Sequence, residues 1–130
     1  MADFFSSIEV APGVYGNGEF TLGENIADHG GLQIAFQAFK ENEAAKPASE
    51  RLQTRDGFTP EQRFFLAYAN VWAGNIRPEE ILQRTKSDPH SLGRWRVNGA
   101  LPHIAAWYDA WNVTPESPLY VAPENRVSIW

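Results

Sequence analysis

Apolar positions recur at helical spacing in five stretches of this chain, each bounded by turn-forming residues. Ile26, Ala27, Leu32, Ala35, Phe36 and Phe39 share one side of a helix, which predicts a first element from about Glu24 to Glu41. Thr21-Leu22-Gly23-Glu24 ahead of it has the spacing of a capping box. Thr59-Pro60-Glu61-Gln62 announces a second helix with a cap, a first-turn proline and a glutamine at the box position. Its apolar stripe is Phe64, Phe65, Tyr68, Val71 and Trp72, and it should stop by Gly74-Asn75. Pro78-Glu79-Glu80 opens a short third helix ending before Ser87, and Asp88-Pro89 offers the cap and first-turn proline of a fourth reaching about Gly99. Pro102 restarts the pattern, and Ile104, Trp107, Tyr108 and Trp111 give the buried stripe of a fifth.

Between and around these lie non-helical signals. Pro12-Gly13 and Gly16-Asn17-Gly18 make Phe4 to Phe20 an irregular or extended lead-in, Asn42 to Gly57 reads as a polar surface connection, and Pro115, Pro118 and Pro123 mark a C-terminal tail. The expected fold is mainly α: one compact multi-helix domain spanning residues 1–130. A chain of this length buries roughly two-thirds of its unfolded surface. Hydrophobic residues make up 43% of it, with five Trp, four Tyr and eight Phe to fill the core, so disorder is excluded.

Charge and composition then remove function classes. A net charge of −5 provides no footprint for nucleic acid or an anionic membrane. The absence of cysteine excludes disulfides, thiolate metal sites and a cysteine nucleophile. No run of about 18 apolar residues is present, and Met1-Ala2-Asp3-Phe4-Phe5 lacks the basic and apolar regions of a signal peptide, so no membrane contact by this chain is expected. Any signal or anchor of a longer enzyme would lie upstream, and the location of the chain itself is not legible.

Two constellations carry candidate chemistry. In Gly23-Glu24-Asn25-Ile26-Ala27-Asp28-His29-Gly30-Gly31, Glu24 and Asp28 stand four residues apart and share a helix face. Read from the residues alone, Glu24 is either the reciprocal carboxylate of the Thr21 box or a metal ligand, and Asp28 is either an acid favoured by the helix dipole or a group supporting such a ligand. Consecutive glycines inside a helix cost about 1 kcal/mol each relative to alanine, so Gly30-Gly31 implies close approach of another backbone. His29 points away from Asp28 and reads as structural or solvent-facing, and His103 as structural. His29, His90 and His103 show no paired ligand spacing, so an independent zinc site is not expected. The second constellation is Ser87-Asp88-Pro89-His90-Ser91-Leu92-Gly93-Arg94-Trp95-Arg96-Val97-Asn98-Gly99. On its own it reads equally as a capped helix with polar first-turn residues. Arg94, four residues after His90, competes with Arg96 for any role on that face.

Both constellations resemble the neprilysin and endothelin-converting-enzyme family of zinc metallopeptidases, and they do so in order along the chain. The likeness runs from about Phe20 through the Glu-Asn-x-Ala-Asp-x-Gly-Gly motif, the aromatic helix Gln62 to Trp72, Arg77-Pro78 and Asp88-x-His90 to the terminal Trp130. It implies the C-terminal portion of a zincin-type catalytic domain that hydrolyses peptide bonds in oligopeptides. Carried over residue by residue, Glu24 matches the third zinc ligand and Asp28 the acid that supports a zinc-binding histidine. His90 matches the histidine that stabilises the oxyanion, Asp88 the acid that orients it, and Arg96 the arginine that grips a substrate backbone carbonyl. The Arg-Val-x-x-Trp ending is two residues longer than the family's, without the cysteine that many animal members carry.

One family element is missing from these residues: the HExxH helix that supplies two histidine ligands and the general base. The resemblance therefore implies that one zinc ion per enzyme is shared with an upstream HExxH-containing part, that the isolated chain is inert and binds zinc weakly, and that the parent is extracytoplasmic. Its partners would be peptide substrates and that upstream part. The alternative is a stand-alone, non-catalytic helical binding module that retains the fold.

Overall fold

Thr59 does what its position predicts. Its Oγ1 accepts from Gln62 N, and the Gln62 carboxamide accepts from Thr59 N in return, so two otherwise unpaired donors of the helix end are satisfied. The computed structural model describes residues 1–51 and 53–129. Among these, the chain runs through α1 (Ala2–Ser6), β1 (Glu9–Ala11), β2 (Val14–Tyr15), α2 (Leu22–Ala45), α3 (Pro60–Val71), α4 (Pro78–Ser87), α5 (Gly93–Asn98), a 3-10 turn (Leu101–His103), α6 (Ala105–Trp111) and a last 3-10 turn (Pro123–Asn125). The mainly helical expectation holds. Trp130, the end of the expected tail, lies outside the described residues.

The core forms where α2, α3 and α6 meet. Leu32, Phe65, Leu101, Ile104, Trp107 and Tyr108 are buried together, with Phe36, Phe64 and Tyr68 packed against them. Phe36 stacks on Phe65 at 5.3 Å and meets Phe64 edge-on at 5.1 Å, the two geometries that aromatic quadrupoles favour. Gln62 adds a polar stitch by donating to the Ala110 carbonyl on α6.

Several boundaries differ from the sequence reading, each for a physical reason. The fourth helix begins at Gly93, not at Pro89, because Asp88 ends α4 in an extended conformation and its carboxylate accepts from His90 N, which holds 88–90 in a turn. The lead-in holds a short helix and a hairpin: Glu9 faces Tyr15 and Ala11 faces Val14, turned through Pro12 and Gly13, whose φ of 72° suits glycine. α2 runs on to Ala45, past its expected end near Glu41, and in the shortened connection that follows Asp56 (φ 52°) and Gly57 (φ 80°) make a tight two-residue turn under an Arg55–Phe58 bridge.

The largest correction concerns α2. Ile26, Ala27 and Ala35 of its expected apolar face are exposed, whereas Asn25, His29, Gly30 and Leu32 are buried. The inward stripe is Asn25, His29, Leu32 and Phe36, and two of its members are polar. The expected Thr21–Glu24 capping box does not form; Thr21 Oγ1 instead donates to the Asn17 carbonyl and accepts from Asn25 Nδ2. Val71 likewise leaves the predicted stripe of α3 and is 68% exposed. A Cβ at Gly31 would meet nothing, so of the glycine pair Gly31 makes no close approach, while Gly30 is buried.

His29 and His103 are both buried, with ring centroids 6.2 Å apart, and Phe4 of α1 packs edge-on against His103 at 4.6 Å. The Gln33 amide donates to His29 Nε2, and burial holds His29 below its ordinary pKa. His103 Nδ1 accepts from Val127 N, which pins the tail. Burial first, then His29, the terminal amine and Arg126, push His103 down to about 4.

An unfolded histidine takes up its proton near pH 6.5, so the unfolded chain binds more protons than the folded one between that pH and about 4. The stability that His103 contributes is whole above the upper limit and is lost as pH falls through this window, to the extent of on the order of 3 kcal/mol. Urea denaturation at about pH 7 and about pH 4.5 should show a larger acid loss for the natural chain than for His103→Gln. Equal losses would contradict the assignment.

Candidate active site

The first two turns of α2 carry Glu24 and Asp28, the 88–92 turn carries Asp88 and His90, and α5 carries Arg96. The fold brings all five together. His90 Nδ1 lies 2.7 Å from Asp88 Oδ1, and its Nε2 lies 3.2 Å from Glu24 Oε2, so the imidazole is bracketed by two carboxylates. Arg96 donates from Nε to Asp28 Oδ2 at 2.5 Å and from Nη2 to Asp28 Oδ1 at 2.7 Å, a fork-on-fork pair. Arg96 Nη2 also stands 3.9 Å from Glu24 Oε2, which joins the two halves of the cluster.

Burial separates these groups by task. The side chains of Asp28 and Arg96 are each 12% exposed, while those of Glu24 and His90 are 42% and 45% exposed. The inner pair is thus a fixed strut, and the outer pair faces solvent. Its hydrogen bonds to the Asp28 carboxylate hold Arg96 above its ordinary pKa. Donation from the His90 backbone, then from its ring, holds Asp88 below the usual carboxylate range. With Nδ1 committed to Asp88, Nε2 is the ring nitrogen turned toward Glu24.

Aromatic groups complete the seat of Arg96. Its guanidinium lies 3.9 Å from the centroid of the Trp72 ring, a cation–π contact in a partly desolvated place. Gly93 makes that contact possible, since a Cβ there would stand 2.8 Å from the Trp72 carbonyl oxygen and push α5 off the end of α3. Tyr68 donates its hydroxyl to the Arg96 carbonyl oxygen; burial and then the Asp28 carboxylate push the phenol up to about 12, so it is a neutral donor. Beside the cluster runs an open groove of ≈ 590 Å³, whose lining includes Trp72, Ile76, Asp88, His90, Arg94 and Arg96.

The comparison with the sequence reading is uneven. Asp88 bonds to both the backbone N and the ring of His90 from a turn and not from a helix N-cap. His90 precedes α5, so the helical-face argument for Arg94 does not apply; Arg94 is exposed and lies 5.0 Å from the Trp95 ring centroid. Trp72 and Tyr68 belong to the site but were read only as a core stripe. Their signal was their place at the end of the aromatic helix, which does not distinguish core from site. Among the described residues, no group of three or more His, Cys, Asp or Glu is arranged to hold a metal by itself.

Comparison with known proteins assigns the class first. Over 99% of this chain and 20% of the other, the fold superposes on the zinc metalloprotease Zmp1 of Mycobacterium tuberculosis, with a TM-score of 0.89 and 33% identity. The fold is similar to that of one part of a zinc metalloprotease. The profile of Peptidase family M13 matches residues 1–127, and the chain belongs to that family. Human neprilysin is 39% identical over 124 residues, covering 95% of this chain and 16% of its own length. Human membrane metallo-endopeptidase-like 1 is 40% identical over 114 residues, covering 88% and 14%. The chain therefore spans about one-seventh of the length of the curated relatives it matches.

The buried pair yields a stability prediction. Asp28→Asn and Arg96→Met should each cost about 3 kcal/mol, because each leaves a charged partner desolvated and unpaired. The double variant should cost little more than either single one. Additivity to within about 0.5 kcal/mol in urea denaturation would show that the two side chains are not coupled.

Proposed function

We propose that this chain supplies the third zinc ligand and the transition-state and substrate-binding side chains of an M13 zinc endopeptidase, acting on oligopeptides together with an HExxH-bearing segment. The observation that carries this reading is the convergence of Glu24, Asp28, Asp88, His90 and Arg96, drawn from three separate elements, at the positions of the family's motifs.

The residues present fit a share in a zinc site. Glu24 keeps a half-exposed carboxylate whose contacts are His90 at 3.2 Å and Arg96 at 3.9 Å, so it is open to a further electrophile. Catalytic zinc commonly takes two His and one Glu, which leaves two ligands to come from elsewhere. When bound, zinc supplies Lewis acidity toward water and the scissile carbonyl. His90, with Nδ1 held by Asp88, turns Nε2 toward the oxygen on which charge develops, and the role requires the ring to be doubly protonated so that Nε2 can donate. Arg96 spends one Nε and one Nη2 hydrogen on Asp28, so its remaining donors are free to hold a peptide carbonyl. Asp28 fixes that guanidinium and keeps a second lone pair on each oxygen for a ligand histidine.

Among the described residues, no helix is long and apolar enough to cross a membrane. An extracytoplasmic place for the whole enzyme is part of the proposal by likeness to the family.

Alone, the chain should neither cleave peptides nor gain thermal stability from zinc, because one carboxylate does not hold the ion against water. In the polypeptide that unites it with the HExxH segment, Glu24→Ala should abolish bound zinc. One tightly bound zinc per Glu24→Ala chain, by metal analysis, would remove Glu24 from the ligand set. His90→Gln should lower kcat by about 100–1,000-fold with zinc retained. Arg96→Met should raise KM more than it lowers kcat, with Lys rescuing only in part and Arg94→Met serving as control. Full activity in His90→Gln, or a greater loss at Arg94 than at Arg96, would refute these roles.

A further inference from the structure

Asn25 is a polar side chain in the inward stripe of α2, 2% exposed, and the roles proposed above make no use of it. Its hydrogen bonds form a directed chain. Ser91 Oγ donates to Asn25 Oδ1 at 2.8 Å, Asn25 Nδ2 donates to Thr21 Oγ1 at 2.9 Å, and Thr21 Oγ1 donates to the Asn17 carbonyl at 3.0 Å. Thr21 is itself 7% exposed, so the chain runs through the interior, where leaving a polar atom unpaired is costly.

The two ends of the central bond are placed tellingly. Asn25 follows Glu24 directly, and Ser91 follows His90 directly, 66 residues away in sequence. The bond therefore links the backbone neighbours of two side chains whose own contact, His90 Nε2 to Glu24 Oε2, is 3.2 Å and half-exposed. A solvent-facing contact of that kind does not hold a turn in place by itself. Asp88 shapes the turn internally through its bonds to His90 N and Nδ1, but those bonds do not attach it to α2.

We propose that Asn25 and Ser91 are positioning residues: their buried hydrogen bond, backed by Thr21, sets the separation between His90 and Glu24 and so the place of the His90 donor proton relative to the reacting carbonyl. The inference rests on the proposed role of His90. Within it, Asn25 is a device for catalytic geometry built into the ligand-bearing helix.

The test is kinetic, in the zinc-loaded polypeptide that unites this chain with the HExxH segment. Ser91→Ala should lower kcat by about 10–100-fold, the range typical of groups that orient an active-site side chain, with KM within about twofold and zinc content unchanged. Ser91→Thr, which keeps the hydroxyl, should restore most of the loss. Asn25→Ala should act in the same direction and add little to Ser91→Ala, because both break one link. The decisive readout is the His90→Gln background, where Ser91→Ala should cost less than about threefold, since the side chain it positions is gone. If Asn25→Ala fails to fold, the Ser91 series carries the test alone. Should His90→Gln be impaired while Ser91→Ala costs nothing, or costs the same factor in both backgrounds, the positioning role is overturned and the role of His90 stands. Full activity in His90→Gln would overturn both.

Discussion

The ion pair between Asp28 and Arg96 is the constraint on which the site depends. It is bidentate, only 12% exposed on each side, and joins two helices whose paired residues are separated by 68 positions in sequence. A buried pair of this kind is a poor source of net stability compared with apolar packing, because removing two charges from water is costly. It is, however, strict about geometry, since the guanidinium fork accepts a carboxylate in few orientations. Once α5 is fixed against α2 in this way, the turn ahead of α5 has to pass the first turn of α2, and His90 comes to face Glu24.

The remaining contacts follow the same logic. Trp72 closes the open face of the guanidinium, Gly93 lets the backbone of α5 come close enough for it, and Tyr68 secures the Arg96 carbonyl from below. On the other side, the bond between Asn25 and Ser91 ties the 88–92 turn down to α2. Charged groups that are half-exposed, Glu24 and His90, are thus held by neighbours that are buried. That division suits a site in which Glu24 and His90 stand at the open side while less exposed neighbours fix the geometry, Arg96 keeping its remaining donors for the groove.

How much of this was legible depended on whether a signal was local. The start of α3 was, because Thr59, Pro60 and Gln62 act within one turn, and so were α4 and the stripe of α6. The inward face of α2 was not. A hydrophobicity pattern cannot select Asn25 and His29 as buried, since they are stabilised inside by partners such as Thr21, Ser91 and Gln33. Asp88 was legible as a cap but not as the end of one helix with a turn after it. The family's ordered spacing singled out Glu24, Asp28, His90 and Arg96 as candidates, which the fold places in one cluster, without showing that Asp28 and Arg96 hold each other. That contact is long-range and leaves no periodic trace in either segment.

The central claim is that Glu24 is a metal ligand and the cluster around it an active site completed by an HExxH segment. Its most direct test is an anomalous-difference map from zinc-bound crystals of the polypeptide that unites the two. The account predicts one zinc peak about 2.0–2.2 Å from a Glu24 carboxylate oxygen, with His90 close by but unbound to the metal. A zinc peak ligated without Glu24, or bound through His90, would contradict it.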